Sequence, residues 1–148
     1  MKKYYSMSIY KNEQDDSMLM YPIGKHEVGY GVPINKPYLM DVPYTAKDVG
    51  ITIKECLNIL INNEYTDEEK GGLVHEKVTG TKSFSKFVKL YKYVSVALFP
   101  SEGYVVNPWV REKRGYTTYK DTPELNLNLD ATEEDLGKGV LKMFEMCK

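Results

Sequence analysis

The side chains of this sequence that could carry chemistry are two histidines, two cysteines and three runs of carboxylates. His26 and His75 each stand in a glycine-rich stretch, GKHEVGYG and GGLVHEKVTG, where a surface position is expected rather than a catalytic one. Cys56 and Cys147 have no CxxC partner and no histidine close by in sequence, which suits a reducing compartment. Both fall on the apolar stripes of separate expected helices, so a zinc site would lack a second ligand at helical spacing. The patterns GxSxG, GxGxxG, GxxxxGK[ST] and HExxH are absent. Together these features predict a protein that is not an enzyme, binds no metal and takes no cofactor. The rival is a small enzyme built on a carboxylate of raised pKa in a pocket, a site that no local pattern would mark.

The carboxylates run as Glu13, Asp15 and Asp16, as Glu64, Asp67, Glu68 and Glu69, and as Glu133, Glu134 and Asp135. The last run opens an expected helix, where negative charge meets exposed amides. The first two fall on a turn and a connecting segment that do not call for them, so they are either solvated charge or the face shown to a basic partner. Tyrosine is used thirteen times against four phenylalanines and one tryptophan. Its broad ring and polar tip suit both strand surfaces and protein interfaces. In VGYGVPINKPY, Tyr30 and Tyr38 stand beside glycine and proline, as an exposed edge that a partner strand could extend by main-chain pairing. The candidate partner-binding residues are therefore Asp15, Asp16, Glu68 and Glu69 for charge, with Tyr30 and Tyr38 for contact. An alternative surface is basic. Lys82, Lys86, Lys89, Arg111, Lys113 and Arg114, with Tyr116 or Tyr119 as stacking platforms, would bind single-stranded nucleic acid.

The elements that must position these residues follow from periodicity. YYSMSIY and SMLMYPI flank the polar KNEQDD and predict a hairpin with an acidic turn. GKHEVGYGVPINKP, rich in glycine and proline, predicts a loop or an irregular edge strand. Val49, Ile53, Cys56, Leu57 and Leu60 make the apolar stripe of a first helix capped by Thr45. Asn62 to Thr81 is charged and carries a Gly-Gly pair, as a flexible link would. KSFSKFVKLY predicts a short helix. YVSVALF, PSEG and YVVNPWV predict the clearest hairpin, with Pro108 marking an edge or bulge at its far end. A short strand YTTYK, an alternating strand ELNLNL and a last helix on Leu136, Val140, Met143, Phe144 and Cys147 complete the chain. The expected fold is α+β, a mostly antiparallel sheet of about five to seven strands with three helices packed on it.

The two long helices open alike, on TAKDVG at residues 45 to 50 and TEEDLG at 132 to 137. Threonine and aspartate at this spacing cap a first turn. The early glycines, Gly50 and Gly137, cost each helix about 1 kcal/mol against alanine, so another segment, a neighbouring strand or the other helix, should approach there. A length of 148 residues predicts one domain spanning 1–148. The net charge of −1 gives no general attraction to nucleic acid or to anionic membrane. MKKYYSMSIY breaks into tyrosine and serine before any leader-like apolar run, and nothing reaches the roughly 20 apolar residues of a membrane span. A cytoplasmic location is expected.

From KPYLMDVPY onward the chain resembles the immunity proteins of bacterial contact-dependent growth inhibition systems. The resemblance rests on PYTAKDVGITIKECL, KSFSKFVKLY, VSVALF, YVVNPW with the Gly115-Tyr116 turn, and TEEDLGKGVLKMF, over roughly residues 38 to 147. It implies a cytosolic, non-enzymatic antidote that binds the toxic C-terminal domain of a cognate delivery protein, often a nuclease, one to one. In some related pairs a toxin hairpin extends the immunity protein's sheet, a mode that would suit the edge around Tyr30 and Tyr38. Thr132, Leu136, Gly137 and Val140 are shared as structural residues, and the resemblance carries over no contact residue.

Overall fold

The computed structural model describes residues 3–25, 31–71, 74–80, 83–118, 121 and 123–148. In chain order the strands are β1 (Tyr5–Asn12), β2 (Met18–Lys25), β3 (Gly31–Pro33), β4 (Tyr38–Met40), β5 (Tyr91–Phe99), β6 (Gly103–Pro108), β7 (Val110–Arg111), β8 (Tyr116–Thr117) and β9 (Leu125–Leu127). The helices are α1 (Ala46–Ile61), α2 (Val74–Thr79), α3 (Phe84–Leu90) and α4 (Glu133–Glu145), with a 3-10 turn at Asp67–Glu69. Seven strands form one sheet in the order β3-β2-β1-β5-β6-β9, with β4 also paired to β2. Every pairing is antiparallel, and β7 and β8 make a separate ribbon. The protein is α+β, as its alternating and helical periodicities predict.

Period-two alternation gives the sheet two different faces. Met7 and Ile9 of β1, Met18 and Met20 of β2, Val94 and Val96 of β5 and Val106 of β6 point to one side. There α1 and α4 cover them with Val49, Ile53, Cys56 and Leu57 and with Leu136, Val140, Met143 and Phe144. Thr45 and Thr132 each accept from the amide three residues on, while Asp48 and Asp135 accept the threonine's own amide in return. The glycine behind each cap meets the other helix. A Cβ on Gly50 would overlap the carbonyl of Glu133, the first residue of α4, and one on Gly137 would overlap the carbonyl of Ala46, the first residue of α1.

The opposite face is aromatic. Tyr10 stacks on Tyr93 at 4.8 Å and meets the ring of Phe87 edge-on at 4.9 Å, and Phe87 stacks on Tyr91 at 4.2 Å. Their polar tips are satisfied inside the layer. The Tyr21 hydroxyl donates to that of Tyr10 at 3.2 Å, the Tyr116 hydroxyl to the carbonyl of Tyr91 at 2.7 Å, and the Trp109 indole to Ser95 at 2.9 Å. Burial, followed by the neighbouring phenols, raises the pKa of Tyr10 well above the ordinary phenol value, and burial pushes Tyr21 up to about 12.

Two expectations change here. The segment Asn62–Thr81 is not a bare link, because it holds the 3-10 turn and α2, the fourth helix. His75 is no surface residue either: it is 5% exposed, with its ring 5.2 Å from that of Phe84 and 5.3 Å from that of Phe87. A helix of six residues is too short to display a stripe, and the glycines around it read as loop. His26 lies outside the described residues.

Two outcomes follow from this packing. Gly50→Ala and Gly137→Ala should each destabilise by about 2 kcal/mol or more, since a methyl meets backbone rather than a yielding side chain. The double substitution should cost at least 0.5 kcal/mol less than the two added, because the first already forces the crossing apart; urea unfolding of the four proteins measures this. Above pH ~10 the unfolded chain releases phenolic protons that the folded aromatic layer retains, so stability should fall as pH rises from there. Tyrosinate absorbance should then appear in step with loss of the near-ultraviolet dichroism.

Candidate partner-binding site

The acidic turn joins β1 to β2. The Ser17 hydroxyl and amide donate to the Asp15 carboxylate at 2.6 and 2.9 Å and hold its pKa below the usual carboxylate range. Asp16 adopts φ +62°, its carboxylate lies 3.6 Å from the Lys11 ammonium, and its carbonyl accepts the Tyr44 hydroxyl at 2.7 Å. Both aspartates thus shape the turn while staying exposed. The Tyr44 bond ties this turn to the segment between β4 and α1.

Along the same flank, β3 and β4 share the outer side of β2. Ile23 pairs with Pro33 and Met20 with Tyr38, so Tyr21 and Pro22 face the four residues from Ile34 to Pro37. A bulge of this kind twists an edge and breaks its row of open groups. The outer side of the bulge is also occupied by this chain. Ile34 bridges Lys70, the Asn35 amide donates to the Glu69 carbonyl at 2.7 Å, and the Gly71 amide donates to the Pro33 carbonyl at 2.8 Å. A partner strand therefore cannot run along the whole of VGYGVPINKPY. On this flank β4 has no described strand on its outer side, and there Leu39 is 61% exposed. Tyr30 lies outside the described residues.

Glu68 and Glu69, adjacent in sequence, have different tasks. Glu69 accepts the Thr66 amide at 2.9 Å, closing the 3-10 turn, and lies 3.7 Å from the Lys36 ammonium. The Thr66 bond, then Lys36, lowers its pKa. The Glu69 carboxylate is thus engaged within the chain while still part-exposed, and Glu68 is exposed.

Tyr38 lines a groove of about 480 Å³ together with Lys36, Glu55, Asn58, Asn62 and Glu64. Burial, followed by nearby Cys56, Glu55 and Glu64, raises its pKa. The Asn62 side-chain amide donates to Glu64 at 3.2 Å, and the two carboxylates outnumber Lys36 there, so the lining suits a lysine or arginine side chain. Glu55 is the residue that sequence reasoning missed. It is an ordinary polar position on α1, and only the pairing of β4 with β2 brings Tyr38 beside it.

The basic alternative joins α3 to the β7-β8 turn, where Phe84 meets Tyr116 at 6.1 Å. The Tyr116 ring packs among Tyr10, Phe84 and Tyr93, its hydroxyl is bonded, and it is only half-buried. Arg111 is ion-paired with Glu13. Lys86, Lys89, Lys113 and Arg114 are exposed, whereas Lys82 and Tyr119 lie outside the described residues. Among the described residues, no three histidine, cysteine, aspartate or glutamate side chains converge to hold a metal, and no helix is long and apolar enough to cross a membrane.

No family model and no curated protein matches the chain. Solved structures do. A chain of the CdiA-CT/CdiI toxin and immunity complex from Yersinia pseudotuberculosis superposes with a TM-score of 0.71 at 13% identity, covering 99% of this chain and 98% of that one. The protein of unknown function NMB0488 from Neisseria meningitidis superposes equally, at 0.71 and 14% identity, over 100% of this chain and 98% of its own. At such identities the likeness is one of fold, and it extends over the first 37 residues, which the sequence resemblance does not reach.

The two neighbouring glutamates separate experimentally. Glu69→Gln should lower the melting temperature at pH 7, whereas Glu68→Gln should leave it nearly unchanged. A carboxylate whose folded pKa is depressed stabilises above its unfolded value near 4.3, and that contribution is lost as pH falls through the folded pKa. The difference between the two variants should therefore shrink as the pH is taken from 7 to 3, read by thermal melts.

Proposed function

We propose that this protein is a non-enzymatic, cytoplasmic antidote whose one domain binds and neutralises the toxic C-terminal domain, a nuclease in this reading, of a cognate contact-dependent growth inhibition protein. The observation that carries the reading is the end-to-end likeness of fold to a chain of a toxin and immunity complex. The flank described above supports it. A nuclease presents cationic side chains to its phosphate substrate, and the Asp15-Asp16 turn, Glu68 and the Tyr38 groove with Glu55 and Glu64 offer them carboxylates on one side of the molecule. The acidic turn and exposed carboxylates would steer the encounter. The groove would take one lysine or arginine of the toxin. The open side of β4, rather than the bulged edge before it, would accept a short stretch of toxin strand, and Tyr30 would add contact.

Co-expression with the toxin domain encoded beside its gene should restore growth, and the purified pair should bind one to one. Replacing Asp15, Asp16, Glu55, Glu64 and Glu68 with lysine should cut the association rate at low salt by tenfold or more and flatten its salt dependence. Unchanged kinetics would remove this flank from the interface. Absence of both binding and rescue would overturn the antidote reading.

A further inference from the structure

The motif that opens both long helices is not used by the proposed function, and the strands before it show why it occurs twice. Thr45, Asp48 and Gly50 correspond to Thr132, Asp135 and Gly137, each counterpart numbered 87 higher. The same interval holds for the strand that leads into each helix. Tyr38 and Met40 of β4 pair with Met20 and Met18 of β2, and their counterparts Leu125 and Leu127 of β9 pair with Val106 and Tyr104 of β6. It holds again at the centre of the sheet. β1 and β5 pair with Ser8 opposite Ser95, and these two serines are themselves 87 apart. β2 and β6 follow at an interval of 86, through a shorter second hairpin turn, and Pro22 and Pro108 are counterparts there, opposite Met7 and Val94.

An operation that exchanges two antiparallel strands at a pair of counterpart residues is a two-fold rotation about an axis through that pair, normal to the sheet. It takes β1, β2, β4 and α1 into β5, β6, β9 and α4. It also takes the contact of Gly50 with Glu133 into that of Gly137 with Ala46, since Ala46 and Glu133 are counterparts as well. The helix stripes correspond in the same way: Val49, Ile53, Cys56 and Leu57 with Leu136, Val140, Met143 and Phe144. β3 in one half and the β7-β8 ribbon in the other enter at the same place, between the second and third strands.

We infer that the chain is a tandem duplication of one βββα unit, residues 5–61 and 91–148, whose two copies fold against each other as a two-fold dimer of the unit would. Each copy's buried surface is complementary to a second unit of its own kind, as in an isologous interface. Residues 62–90, with α2 and α3, have no counterpart. From this segment Val74, Phe84 and Phe87 pack on the aromatic sheet face, with Tyr10, Leu19, Tyr21 and Tyr91.

Equivalent segments must then be interchangeable in register. In the full-length chain, residues 38–50, YLMDVPYTAKDVG, are replaced by the counterparts 125–137, LNLNLDATEEDLG. A control receives residues 124–136, ELNLNLDATEEDL, one position out of step. The in-register graft keeps apolar side chains at 38, 40 and 49 and glycine at 50. It should retain the parent's far-ultraviolet dichroism and one cooperative transition, with a Tm within about 15 °C of the parent, part of the loss coming from Tyr44. The shifted graft turns the strand's leucines to the wrong face and sets a leucine against the Glu133 carbonyl, and should show no transition. An in-register graft that melts no more cooperatively, or no higher, than the shifted one overturns the inference.

Discussion

The first turns of α1 and α4 meet backbone to backbone, and much of the remaining architecture is set by that contact. Each helix presents a glycine where the other presents its first carbonyl, so the two backbones touch with nothing between them. At that separation the two apolar stripes lie side by side and jointly cover one sheet face, as neither would alone. The capping boxes serve the same contact, because satisfied first-turn amides leave the carbonyl of each opening residue fixed in position. Close backbone approach also brings Cα–H groups near carbonyl oxygens, a weak attraction repeated at both sites.

Much of this was legible in the residues. Alternation in SMSIY, YVSVALF and ELNLNL gave the strands, the threonine caps gave the two long helices, and the misplaced glycines gave an approach whose partner, the other helix, is now identified. The fourth helix was hidden because six residues cannot display a stripe. His75 was misjudged because burial there comes from Phe84 and Phe87, which lie in the next helix rather than in its own segment. The candidate site was legible as composition and not as geometry. Acidic runs and tyrosines mark the flank along β2, but whether a carboxylate is free or already employed depends on contacts with distant parts of the chain. Glu13 is held by Arg111 and Glu69 by Thr66 and Lys36. Glu55, adjacent to nothing unusual in sequence, ends beside Tyr38.

The two sheet faces divide the work. The helix-covered face is aliphatic and sealed, a conventional core. The aromatic face is held by hydrogen-bonded phenols and an indole whose partners are fixed in direction, so it resists sliding as well as separation. The exposed flank of β2 is attached to both. Tyr38 and Met40 pack on the aliphatic side, while the bulge after β3 is braced by residues 69–71. A surface supported in this way is preorganised, and a partner docking on it would bear little ordering cost.

The single tryptophan gives the aromatic face an optical property. Trp109 stacks on Tyr93 at 5.1 Å, and Tyr93 in turn lies against Tyr10 and Tyr116. Light absorbed by these phenols passes to the indole by resonance transfer over such short separations, so the native protein emits as a tryptophan protein although tyrosine is the commoner chromophore. Separation of the ribbon from the sheet would lengthen these distances and weaken the transfer. The chain therefore carries its own fluorescent gauge of whether that layer is closed.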